Sequence, residues 1–137
     1  MAIEKNDNNG MLLSTDFPLF RFSNPENIIG VLVPEKFKKN WRLDIRGDDF
    51  ALPLFVKEAK KIDIFQYDSE KSYRGRHRAW NLVAAYLSEN AVVMFDDIQN
   101  NFHFRDLVQK LETDFCVFEF QGKYIGLFHC DTRVLSE

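Results

Sequence analysis

Hydrophobic positions along this chain switch between two periods, and the switches divide it into short strands and helices. Met11, Leu12 and Leu13 run into Ser14, Thr15 and Asp16 ahead of Pro18, which predicts a short buried strand ended by a proline turn. Asn24 to Gly30 reads as loop. Pro34, with its fixed φ, followed by Glu35 predicts a short helix ending near Asn40. Trp41, Leu43 and Ile45 alternate with Arg42, Asp44 and Arg46 and lead to Gly47, Asp48 and Asp49, the pattern of a half-buried strand ending on carboxylates. A helix is predicted from about Ala51 to Lys60, then a strand through Ile62, Ile64 and Phe65 that closes at Tyr67 and Asp68. From Tyr73 to Leu87, the residues Ala79, Leu82, Val83, Tyr86 and Leu87 share one face at the helical period. Ala91 to Phe95 is an unbroken apolar run, as in a strand covered on both faces, and Asp96 and Asp97 follow at once. Phe104, Leu107, Val108 and Leu111 mark another amphipathic helix. Cys116, Phe118 and Phe120 then alternate up to Gln121 and Gly122, and Tyr124, Ile125, Leu127 and Phe128 follow, which predicts an antiparallel hairpin.

Strand and helix in alternation, closed by a hairpin, specify an α/β fold: a mostly parallel sheet with helices on both faces and one antiparallel strand at its end. The length of 137 residues and a hydrophobic share of 45% suit a single compact domain over residues 11–137. Residues 1–10, rich in Asn, have no periodic apolar pattern and predict a mobile tail. The net charge of -3 and pI near 5.6 exclude a broad basic footprint for nucleic acid. No stretch approaches the roughly 18–20 apolar residues of a membrane span, and the polar start does not resemble a signal peptide, so a cytoplasmic protein is expected. Cys116 and Cys130 lack the number and spacing of a disulfide framework or a zinc site. Fourteen phenylalanines predict either a thick aromatic core or a surface that another chain covers.

Candidate chemistry lies in a recurrence. Asp16, Asp48 with Asp49, Asp68, and Asp96 with Asp97 each follow a predicted strand. Ligands of open parallel sheets bind outside the carboxyl ends of the strands, so these carboxylates would line one rim. Arg74, Arg76, His77 and Arg78 crowd the start of the Tyr73 helix, against its dipole; they form either a solvated face or an attraction for an anion. His103 and His129 have no pairing that points to a metal and read as structural. Asn100 and Asn101 read as turn residues that could also contribute to the acidic rim.

The run from Ile62 to Tyr73, IDIFQYDSEKSY, then an amphipathic helix, then Val92 to Ile98, VVMFDDI, resembles the strand 4 to strand 5 region of class I S-adenosylmethionine-dependent methyltransferases. Members of that family read as apolar strand, D-S-x-H-x-Y, helix, apolar strand and D-D-[IV]. Ile29 to Glu35 and Trp41 to Asp48 are similar to the stretch joining strands 2 and 3 of the family, so the resemblance covers about Leu12 to Phe128. It implies a Rossmann-like sheet lacking the usual first strand and its glycine-rich cofactor turn, since none of the six glycines matches that motif. It further implies cofactor-binding roles for Asp16, on the ribose, for Asp48, near the adenine, and for Asp68. Asp68, Asp96 and Asp97 fall where catechol-type members hold a divalent ion, with Asp97 in place of the usual asparagine; three oxygens of this kind suit Mg²⁺. Lys71 stands where histidine is more usual, but metal-dependent members carry a catalytic lysine at that spacing, which takes the proton from the hydroxyl being methylated if its pKa is lowered.

The function so implied is methyl transfer from S-adenosylmethionine to a hydroxyl of a small molecule or sugar, in a shortened enzyme. Without a first strand at the centre of the sheet, two strand edges are left open. This allows a second reading, an inactive methyltransferase-like module whose edges are covered by a second copy or a partner chain. A third is a different doubly wound domain that binds Mg²⁺ and a phosphorylated ligand at the same rim.

Overall fold

The computed structural model of the protein describes Ile3, residues 10–17 and residues 20–130. Apart from Ile3 and Gly10, the tail expected over residues 1–10 lies outside the described residues. The chain divides into two compact units, Met1–Phe55 and Val56–Glu137.

In the first unit, β1 (Leu12–Thr15) and β2 (Trp41–Asp44) pair in parallel, from Leu12 opposite Trp41 to Thr15 opposite Asp44. Between them lie a single 3₁₀ turn at Pro25–Asn27 and the short helix α1 (Glu35–Lys38), with Glu35 in its first turn. Two glycines with positive φ seat aromatic rings: the Trp41 ring lies against Gly30 (φ 74°) and the Phe17 ring against Gly47 (φ 87°), so a side chain at either would meet both a steric and a backbone obstacle. Helix α2 (Asp48–Ala59) begins three residues ahead of the expected Ala51, with Asp48 and Asp49 in its positively polarised first turn and Pro53 inside it.

The second unit holds β3 (Ile62–Tyr67), α3 (Tyr73–Val83), β4 (Leu87–Phe95), α4 (His103–Leu111), β5 (Phe115–Phe120) and β6 (Lys123–Cys130). Its sheet has the order β3-β4-β6-β5. β3 and β4 are parallel, and β6 runs antiparallel to both β4 and β5. The α/β class is as expected, but the sheet is mixed rather than mostly parallel, because the second strand of the hairpin inserts between β4 and β5. Gln121 (φ 52°) and Gly122 (φ 76°) form the two-residue turn, both left-handed as a hairpin of this hand requires.

Phe65, Tyr67, Val93, Phe95 and Phe128 face one side of the sheet and are buried there. Helices α3 and α4 close that side, with Trp80 against Phe128 at 5.9 Å between ring centroids and Phe104 within 6.3 Å of both Phe95 and Phe128. A Cβ on Gly126 would lie 2.5 Å from the Phe104 ring, so this glycine gives the helix its close approach to β6. On the opposite side Ile64, Phe118 and Phe120 are exposed. β5 is an edge strand exposed along its whole length.

One helix boundary differs from the sequence reading. α3 ends at Val83, a 3₁₀ turn covers Ala84–Tyr86, and Leu87 opens β4 opposite Ile62. The buried face of α3 is Gly75, Arg76, Ala79, Trp80 and Val83, one turn earlier than the expected stripe. Among the described residues no helix is long and apolar enough to cross a membrane.

Candidate functional site: an acidic cluster beyond strands β3 and β4

Because β3 and β4 are parallel neighbours, their carboxyl ends emerge side by side. Asp68 follows β3, Asp96 and Asp97 follow β4, and the Asp96 N–H donates to the Tyr67 carbonyl at 3.0 Å, which ties the two ends together. One carboxylate oxygen from each of Asp68, Asp96 and Asp97 lies within 4.8 Å of the others. Asp97 adopts a left-handed conformation (φ 50°), which reverses the chain and brings its side chain back to the cluster.

The carboxylates are not left to repel one another. Lys71 donates from Nζ to Asp68 Oδ1 and lies 3.0 Å from Asp97 Oδ2. Lys123, at the hairpin, lies 3.6 Å from Asp97 Oδ1, and Gln99 Nε2 donates to the same oxygen at 3.4 Å. The hydrogen bond from Lys71 therefore holds the Asp97 carboxyl below its usual range, against the opposing effect of burial. For Lys71, burial draws the pKa down, but the hydrogen bonds and charges of Asp68 and Asp97 outweigh it and the net shift is upward. A proton-accepting lysine needs the opposite direction; in this arrangement Lys71 is the counter-ion of the cluster.

Beneath the cluster lies Arg76, 1% exposed. Its Nη2 donates to the carbonyls of Asp96 at 2.8 Å and Asp97 at 2.9 Å. Burial disfavours its charge, while Asp97, Tyr67, Asp96 and Asp68 favour it. Arg76 is not on a solvated face, one of the two expectations for its cluster; the reason is its helical phase, three, four and seven residues before the buried Ala79, Trp80 and Val83. Arg78, by contrast, is on the outer face, 3.6 Å from Glu70. Asn101 is more than a turn residue: its Nδ2 donates to the Lys71 carbonyl at 2.7 Å and its Oδ1 accepts from the His103 N–H at 2.8 Å, joining the loop after β3 to the start of α4. His103 is structural, as expected, buried against Phe95 and Tyr73. Gln99 and Lys123 carried no motif in the sequence; the turn after Asp97 brings Gln99 to its carboxylate, and the hairpin brings Lys123.

Asp16 and Asp48 belong to the first unit, where the Gly47 N–H donates to the Asp16 carbonyl at 3.0 Å and so brings the two ends of strand together. The Asp16 carboxylate is exposed and accepts from the next N–H in the chain, that of Phe17, at 2.7 Å. Asp48 is buried in the first turn of α2. Nearby, Arg46 grips Asp44 with two nitrogens and holds its pKa at about 2.

Two bound groups can be tested against these residues. A hard divalent cation such as Mg²⁺ fits the donor set, three carboxylate oxygens, of which those of Asp68 and Asp97 already face a cation, the Lys71 ammonium. The methionine part of S-adenosylmethionine finds no backbone cradle at five of the six glycines. Gly30, Gly47, Gly75 and Gly126 each face a side chain of this chain and Gly122 caps the hairpin, so none of these five forms a backbone cradle for a ligand. Compared with known proteins, the sequence matches no family model and no curated protein.

Proposed function

We propose that this chain is a methyltransferase-type module that works at the acidic cluster, with a divalent cation held by Asp68, Asp96 and Asp97 and the hydroxyl of a small molecule or sugar as methyl acceptor. The observation that supports this reading is the meeting of those three carboxylates with Lys71 at the ends of two parallel strands, the arrangement that the sequence resemblance implied. A bound Mg²⁺ would take acceptor oxygens into its shell and favour their ionised form. With the carboxylates turned to a cation, the interactions that raise the Lys71 pKa are withdrawn while its partial burial remains, which moves the amine toward proton acceptance. In this reading the glycine turn for the cofactor comes from a second polypeptide or from a segment other than the described residues.

A second reading, an inactive module that acts by assembly, draws on a different observation. β1 pairs only with β2 and β3 only with β4 among the described strands, so each leaves one hydrogen-bonding edge free for another chain. Calorimetric titration of the folded protein with S-adenosylmethionine, with and without Mg²⁺, separates the two. Saturable binding in the micromolar range, strengthened by Mg²⁺, is expected for the enzyme; no heat in either condition leaves the assembly reading.

A further inference from the structure

We infer that Arg76 is the positioning residue of the acidic cluster: from beneath the loop, its guanidinium grips the two carbonyls of Asp96 and Asp97 and fixes where their carboxylates stand. The inference rests on the cation reading of the cluster. Its first support is geometric. One nitrogen, Nη2, bridges both carbonyls, so the peptide that links the two ligands cannot rotate without breaking a charge-assisted bond. The residue so held, Asp97, is in the left-handed region that side chains other than glycine seldom adopt, and such a conformation persists only where the surroundings enforce it.

Its second support is what the arginine lacks. Nε and Nη1 are buried with no hydrogen-bond partner. An unpaired buried donor is destabilising, and an aliphatic side chain in the same phase of α3 would pack beside Ala79, Trp80 and Val83 without that penalty. Packing therefore does not explain the arginine, whereas the grip on two carbonyls does. Its positive charge also lies in the field of all three aspartates, where it offsets their repulsion before any cation arrives.

Charge and position predict opposite results for one substitution. Arg76→Met keeps an unbranched apolar stem and removes both the charge and the clamp. If the arginine were only a positive charge near a cation site, its loss would tighten cation binding. If it positions the loop, its loss weakens binding although a repulsive charge has gone. Mn²⁺ binding followed by electron paramagnetic resonance, in the full chain and with circular dichroism as the check of folding, is expected to weaken by about 10-fold or more. Amide exchange at Asp97 to Asn101 is expected to speed up in the same variant. Arg76→Lys keeps the charge, but its ammonium nitrogen stands one bond short of the Nη2 position that reaches both carbonyls, and it is expected to resemble the Met variant. Tighter or unchanged Mn²⁺ binding in Arg76→Met, or full recovery in Arg76→Lys, overturns the inference. If the unsubstituted chain binds no Mn²⁺, the cation reading fails, and the clamp is then judged on exchange alone, unchanged rates in both variants overturning it.

Discussion

Replacing Phe95 with Ala lowers the free energy of unfolding by about 3–5 kcal/mol, the range for removing a fully buried ring from a packed core. Phe95 is 0% exposed and lies at the centre of the aromatic layer, within 6.3 Å of the rings of Phe65, Tyr67, His103 and Phe104. These neighbours come from a strand, β3, and a helix, α4, so no single movement refills the space. Phe95 also ends β4 one residue ahead of the acidic pair, and a cavity there reaches the cluster through the backbone. Urea denaturation followed by tryptophan fluorescence measures the change; a loss under about 1 kcal/mol would place the core elsewhere.

Stability also falls as pH is lowered from about 6.5 to 4, through His103. Burial first, then the neighbouring positive charge of His77 and Arg76, depresses its pKa from 6.5 to about 4. Between those values the unfolded chain binds a proton that the native chain refuses, so acid favours unfolding. The stabilisation is complete above the unfolded pKa, is lost progressively as pH falls, and levels off below about 4. Its full extent is roughly 3 kcal/mol, from a shift of about two and a half units at 1.36 kcal/mol each. Nδ1 of His103 is buried without a partner, so His103→Phe removes the proton site without orphaning another group. The stability of the native chain minus that of the variant, measured by urea at pH 7, 5.5 and 4, is expected to fall as pH falls. A constant difference would mean that His103 is not held neutral in the native state.

The comparison of sequence with structure turns on where each property resides. The strands were legible because period and apolar runs are local, and the aspartates after β3 and β4 were legible as a group because parallel neighbours must end side by side. Asp16 and the residue before Asp48, Gly47, meet through a backbone hydrogen bond, again at strand ends. Arg76 was misplaced because a charged letter in a polar run outweighed its helical phase. Leu87 was read as helix because a leucine four residues after Val83 satisfies the helical period, whereas its pairing with Ile62 is a long-range contact that no local pattern contains. The division of the chain near Phe55 falls inside α2, with no linker composition to mark it. Lys71 was recognised by its spacing, but the direction of its pKa depends on Asp97, which approaches only after the chain reverses at a positive φ.

The account depends most on the cluster binding a cation. Calorimetric titration of the folded chain with Mg²⁺, beside the Asp68→Ala/Asp96→Ala double variant, tests it directly. Saturable binding in the unsubstituted chain that disappears in the double variant is the predicted result; no binding in the first, or equal binding in both, would contradict it.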